Sequence, residues 1–179
     1  MHQEAKPIQK FGTVIKDLPI ALDEETRIES VELLNQILAD TITLRDMYKK
    51  HHWQVAGPTF YQLHLLFDKH YEEQAKLVDD LAERIQILGG LSIAMAHDVA
   101  ELSRIPRLPR DREEVPVQIS RLLEAHTMIL DYIKDAAEKT DENGDNGSND
   151  LIVSQVLRTN EMQVWFVSEH VVRMSLVKA

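Results

Sequence analysis

The sequence predicts an all-α protein: four long helices in an up-down bundle, with a long crossover between the second and third that carries a short helix of its own. Three observations point there. Four stretches place apolar residues at helical intervals, and each is closed by Gly, Pro or a polar run. No alternating run is long enough for a strand, and no internal repeat occurs. A length of 179 residues with 44% hydrophobic content suits one domain with a full core. The expected organisation is an irregular tail over residues 1–25 and a helical-bundle domain over residues 26–179.

The tail contains Pro7, Gly12 and Pro19 and lacks sustained periodicity. Thr26 followed by Glu29 has the form of a capping box, in which hydroxyl and carboxylate satisfy orphan N–H groups at a helix start. Behind it, Leu34, Ile37, Leu38, Ile42 and Met47 form an apolar face, with Asp40, Arg45 and Lys49 between them. That pattern predicts a first helix running to about Val55. Gly57-Pro58 separates it from the second, since Gly suits a helix end and Pro at a first helical position forfeits no hydrogen bond. No further Gly or Pro interrupts the chain until Gly89-Gly90, which predicts one unbroken helix from Pro58 to Leu88.

Pro106 and Pro109 limit helix in the following connection, leaving SIAMAHDVAEL as a short helix across the middle of the bundle. After Pro116, the residues Ile119, Leu122, Leu123, His126, Ile129, Leu130 and Ile133 mark a third helix ending near Thr140. ENGDNGSND is a polar break. Val153, Val156, Leu157, Val164 and Val167 then lie on a fourth helix, from about Asp150 to Met174.

Composition removes several classes of function. With no Cys there are no disulfides, thiolate metal sites or Cys nucleophile. Twenty Lys+Arg against 30 Asp+Glu give a formal charge of −10, which attracts cations and disfavours nonspecific contact with nucleic acid. No apolar run suits a membrane span and no charged segment precedes an apolar core, so a cytoplasmic protein without a membrane partner is expected. The G-x-S-x-G, H-E-x-x-H, P-loop and EF-hand patterns are all missing.

What remains is a set of spacings on the second helix. His64 and Asp68 are four residues apart and share a face, and Asp79 and Glu83 repeat the relation. Asp68 to Asp79 is three turns plus ~20°, so all four groups line one stripe, yet they span ~16 Å of rise. Metal–ligand bonds are only ~2 Å long, so one ion cannot reach both pairs within one helix. A twofold axis resolves this. If two copies of the helix cross antiparallel, a single register brings His64 opposite Glu83 of the partner subunit and Asp68 opposite Asp79 of the partner subunit. His52, on the other arm of the hairpin, can approach His64. The composite of two imidazoles and three carboxylates is a mixed N/O set suited to iron or another first-row divalent metal, and zinc accepts the same ligands.

The order H-x11-H-x3-D-x10-D-x3-E, with Trp53 directly after the first His, resembles the Dps family (DNA-protection-during-starvation proteins, or mini-ferritins). The flanking text KKHHWQVAGPTFYQLH and DDLAERIQILGG agrees, and the resemblance covers residues 26 to 175. It implies a ferritin-like bundle assembled as a homo-dodecamer from twofold dimers, with ferroxidase sites shared across each dimer. It further implies that Fe(II) is oxidised with hydrogen peroxide and stored as ferric mineral, and that Trp53 lies beside the site and supplies an electron. His52, His64, Asp68, Asp79 and Glu83 are the implied ligands. Ordinary ferritin-like di-iron sites use Glu-x-x-His within one bundle, and no His here has a Glu three residues before it.

Blander readings accompany these. Arg84 or Lys76 could neutralise Asp79 and Glu83. His51 points ~100° from His52 on a helix, and so away from the same metal. His70 falls near the proposed dyad, as an accessory ligand or, by default, a surface histidine. His97, His126 and His170 sit among apolar neighbours as structural histidines, and Trp53 and Trp165 are by default core aromatics. Arg104, Arg107, Arg110 and Arg112 read as a solvated loop, while Asp141, Glu142, Asp145 and Asp150 are candidates for a threefold cation pore. A DNA-coating, nucleoid-associated shell is the alternative function. Against it, the tail's Lys6, Lys10 and Lys16 face Glu4 and Asp17, and Arg173 to Ala179 adds only Arg173 and Lys178, so DNA binding at physiological salt is expected to be weak or absent.

Overall fold

The computed structural model describes residues 6–172. Helix α1 spans Glu24–Gln54, α2 Phe60–Ile87, the short α3 Ala96–Leu102 and α4 Val115–Glu142. The last helix is composite: α5 (Asn146–Asp150), a π-helical segment (Leu151–Leu157) and α6 (Arg158–Ser168). Among the described residues there is no strand, and no helix is long and apolar enough to cross a membrane. Met174, the expected end of the fourth helix, and Arg173 to Ala179 lie outside the described residues, as does Glu4.

The α1–α2 hairpin is the most extensive helix pair, and α4 and the last helix close the bundle over it. From α1 the core takes Leu34, Ile37, Leu38, Leu44 and Tyr48, and from α2 Leu63, Phe67, Leu77, Leu81 and Ile85. Ile119, Leu122, Ile129 and Ile133 of α4 complete it, with Ile152, Val156 and Val167 of the last helix. Gly57 at φ +99° and Gly89 at φ +79° end α1's hairpin turn and α2 in a backbone region that side chains rarely adopt. Gly90 has a different reason: a Cβ there would sit 2.6 Å from the buried Val31 side chain.

The start of α1 differs from expectation. Asp23, not Thr26, is the cap, accepting from the Thr26 N–H at 2.8 Å, so the helix begins earlier than the Thr26–Glu29 pattern suggests. The tail is strapped to the bundle. Val14 is buried, the Ile15 N–H donates to the Gly89 carbonyl (2.8 Å), and Arg27 Nη1 donates to the Ile15 and Leu88 carbonyls. The crossover is pinned at buried Asp40, which accepts from Arg104 Nη2 (2.7 Å), Arg104 Nε (3.0 Å) and Arg104 N–H (2.7 Å), while the guanidinium lies over the Tyr132 ring. Arg104 is thus committed to Asp40 while staying partly open to solvent, and Arg107, Arg110 and Arg112 are exposed.

The fourth helix starts early because Asp145 caps it, accepting from Ser148 N–H. This carboxylate is fully buried and also takes a hydrogen bond from Arg84 Nη2 at 2.5 Å, so Asp145 is excluded as a pore residue. Burial pushes the carboxyl up, but the hydrogen bonds from Ser148 and the Arg84 charge outweigh it and hold the carboxyl below its ordinary range. Asp141, Glu142 and Asp150 are exposed.

Candidate metal centre

His52, near the end of α1, and His64, near the start of α2, clasp each other across the hairpin. Nδ1 of His52 donates to the His64 carbonyl (2.8 Å), and Nδ1 of His64 donates to the His52 carbonyl (2.9 Å). A carbonyl can only accept, so both Nδ1 atoms carry a proton, and in the neutral ring Nε2 is then the nitrogen with the lone pair. The rings stack at 3.8 Å between centroids and 19° between planes. This is how metal-ligating imidazoles are oriented: the second nitrogen is tied to a backbone carbonyl, fixing tautomer and ring direction. Asp68, one turn along α2 from His64, brings Oδ1 within 3.8 Å of His52 Nδ1.

Lys49 Nζ donates to the same Oδ1 at 2.5 Å, and this hydrogen bond holds the Asp68 carboxyl below the usual carboxylate range. Lys49 is a neighbour of the site that the spacing argument missed. Its position three residues before His52, on the same helical face, was the available signal.

Asp79 and Glu83 are exposed farther along α2 and do not join this group. Among the described residues no three His, Asp or Glu side chains converge closely enough to hold an ion. The proposed counter-ions are engaged elsewhere: Arg84 with Asp145, and Lys76 with Asp80. Among the described residues Asp79 and Glu83 therefore have no ion-pair partner. The single chain carries the His64–Asp68 and Asp79–Glu83 pairs apart on one side of α2, with the small Ala75 and Ala82 between and beside them.

Several aromatic and histidine expectations are corrected. Trp53 is 68% exposed and Trp165 is 61% exposed, so neither is a core residue. His70 is fully buried, because α2 turns Leu63, Phe67, His70, Gln74 and Leu77 inward together. Among the described residues neither of its ring nitrogens has a hydrogen-bond partner. His51 is likewise buried, turned toward Gln118 of α4 and away from the site. His97 and His170 are exposed, whereas His126 is the structural histidine expected, bonded to Tyr48 and Asn160.

Known proteins share this architecture. Residues 31–177 match the ferritin-like domain family. The structure of DpsC from Streptomyces coelicolor superposes with a TM-score of 0.94 at 55% identity, covering 97% of this chain and 100% of that one. An uncharacterised protein of Kitasatospora aureofaciens is 50% identical over 81% of this chain and 96% of its own length. The nutrient stress-induced DNA-binding protein of Nostoc is 32% identical over 86% of this chain and 83% of its own. A bundle with a helical crossover, a hairpin that presents paired imidazoles, and these relatives along nearly the whole chain agree: the protein belongs to the Dps family of ferritin-like proteins.

Proposed function

We propose that this protein oxidises Fe(II), with hydrogen peroxide as oxidant, at centres shared between two subunits, and stores the ferric product inside a dodecameric shell. The observation that carries the reading is the reciprocal His52–His64 clasp, which ties both Nδ1 atoms to backbone, on a hairpin whose α2 also carries Asp79 and Glu83 without counter-ions. An antiparallel pair of α2 helices places Asp79 and Glu83 of the partner subunit beside His52, His64 and Asp68. Ala75 near the crossing, and Ala82 opposite Leu65, allow close approach.

Fe(II) is the substrate here. Imidazoles fix its position, and the carboxylates favour the ferric state, which assists electron loss. Two Fe(II) supply the two electrons that reduce one peroxide to two hydroxides. Lys49 holds Asp68 ionised and yields it to a metal cation of higher charge. Trp53, adjacent to His52, is a proposed electron donor, and zinc is expected to compete for the same N/O ligands.

Anaerobic loading with Fe(II), followed by peroxide, tests the site. His52→Ala/Asp68→Ala protein should oxidise iron at least tenfold more slowly than wild type, and equal rates would eliminate the site. Light scattering at micromolar protein should report the dodecamer's mass, and a stable monomer or dimer would remove the shell.

The DNA-coating alternative draws support from the printed name of the Nostoc relative. Against it, Arg104 is committed to Asp40, and Lys6, Lys10 and Lys16 provide few contacts for phosphate.

A further inference from the structure

One buried polar chain is not used by the centre described above. Tyr48 is fully buried on α1, one helical turn before His52 and therefore about 6 Å of axial rise from it. Its hydroxyl lies 2.6 Å from Nε2 of His126, itself fully buried on α4. Nδ1 of His126 lies 2.8 Å from Oδ1 of Asn160, whose own Nδ2 donates to the Val156 carbonyl (2.7 Å). That last bond fixes the amide: Oδ1 must be the acceptor, so His126 carries its proton on Nδ1. Nε2 therefore offers a lone pair, and the Tyr48 O–H donates to it.

We infer that Tyr48 is an internal one-electron donor to the metal centre, with His126 as the base that takes its proton. The inference rests on the Fe(II)-oxidation reading of that centre. A buried phenol cannot give up an electron alone, because the cation left behind would be desolvated and strongly acidic. The short hydrogen bond to a neutral imidazole removes this obstacle by letting the proton move as the electron leaves. Both partners are in the required protonation state. Burial, with the Glu73 charge, raises the Tyr48 phenol well above its ordinary range, and burial lowers His126 to about 4. Phe67, next to Asp68 in sequence, packs against the Tyr48 ring at 6.0 Å, so aromatic contact continues toward the centre.

The donor matters when only one Fe(II) is bound. Peroxide then takes one electron from that ion and would release hydroxyl radical. With Tyr48, H2O2, Fe(II) and the Tyr48-OH···His126 pair become Fe(III), two OH⁻ and Tyr48-O•···H–His126⁺. The O–O bond breaks, iron and phenol are each oxidised by one electron, and the phenolic proton rests on Nε2. A later Fe(II) returns the electron, His126 returns the proton, and the net reaction is again two Fe(II) per peroxide. Trp53 is an exposed donor on the same helix; Tyr48 differs in keeping its radical inside the bundle.

The test is rapid-freeze electron paramagnetic resonance on full-length wild type, Tyr48→Phe and Trp53→Phe protein, in two arms. In the first, metal-free protein is oxidised by radiolytically generated azide radicals. In the second, protein carrying less than one Fe(II) per site receives peroxide, with spin-trapped hydroxyl radical measured in parallel. A tyrosyl signal present in wild type and Trp53→Phe but lost in Tyr48→Phe, in both arms, is expected. The trapped hydroxyl radical should rise severalfold in Tyr48→Phe at low iron and converge with wild type at saturating iron. An unchanged signal in Tyr48→Phe, or no tyrosyl signal in the metal-free arm, overturns the inference, as does normal iron oxidation in the second arm without that signal. Failure of wild type to oxidise iron at all, beside a Tyr48-dependent signal in the metal-free arm, refutes the centre while leaving the Tyr48–His126 pair established as a radical site. Asn160→Asp supplies a further readout: its carboxylate stabilises protonated His126 and should lengthen the radical's lifetime, which a merely structural hydrogen bond would not do.

Discussion

Lowering the pH from about 7.5 to about 5.5 probes how the three buried histidines, His51, His70 and His126, are held. Burial, together with nearby His126 and Lys69, lowers His70 to about 3, burial lowers His126 to about 4, and burial with the Lys50 charge lowers His51 to about 4, all from an ordinary 6.5. In the unfolded chain all three imidazoles take up protons once the pH falls below 6.5, whereas the folded chain must keep them neutral until the pH nears 4. Protons thus bind the unfolded state preferentially across that window. The folded state has its full stability above it and loses about 1.4 kcal/mol per pH unit for each histidine within it. At about pH 5.5 the three should together cost about 4 kcal/mol, a large part of a total of roughly 5–15. The buried and hydrogen-bonded carboxylates, such as Asp145, are held below 3.8 and contribute only at lower pH. Urea unfolding of metal-free protein at fixed protein concentration measures the loss, since association adds its own stability. His70→Leu should remove about a third of the decline. A midpoint unchanged between the two pH values, or a His70→Leu protein that keeps the full decline, would refute the reasoning.

Three other outcomes are expected. Arg84→Met leaves Asp145 buried and uncompensated and should cost about 3–5 kcal/mol in denaturant melts, while Arg84→Met/Asp145→Asn should cost clearly less. Asp23→Ala removes the α1 cap and should cost about 1 kcal/mol, read as a fall in Tm of roughly 2–4 °C. Gel shifts with plasmid DNA should show no stable complex near physiological salt, and retention there would add a nucleoid role.

Much of the fold is legible because its punctuation is strong. Gly57-Pro58 and Gly89-Gly90 bound α2 to within about two residues of its ends, and Pro106 and Pro109 mark the crossover. The alignment of His64, Asp68, Asp79 and Glu83 along one side of α2 is legible because a helix converts spacing into angle. Other features depend on facts that one chain's pattern does not carry. Asp23 and Thr26 are competing caps three residues apart, and only the backbone decides between them. Trp53 and Trp165 have the hydrophobicity of core residues, but the surfaces that would cover them are not part of this chain's own core. His70 was readable: the inward run Leu63, Phe67, His70, Gln74, Leu77 has a heptad rhythm, but a polar identity masks it. Asp145 sits in a run that looks like solvent, and its burial follows from the distant Arg84.

The wide π turn of the last helix leaves a mark on how this sequence can be edited. Over Leu151–Leu157 the chain advances less per residue than an α-helix does, so it holds more chain than its length in turns requires. Removing one residue from the first part of that stretch would tighten it to ordinary α-helix while both flanks kept their facing. Asn160 would still reach back four residues to the Val156 carbonyl, and Val167 would still meet the core. The same single deletion in α1, α2 or α4 would turn every following side chain by ~100°. The π turn therefore makes this the one helical stretch described that is built to absorb a frame-preserving loss of one codon.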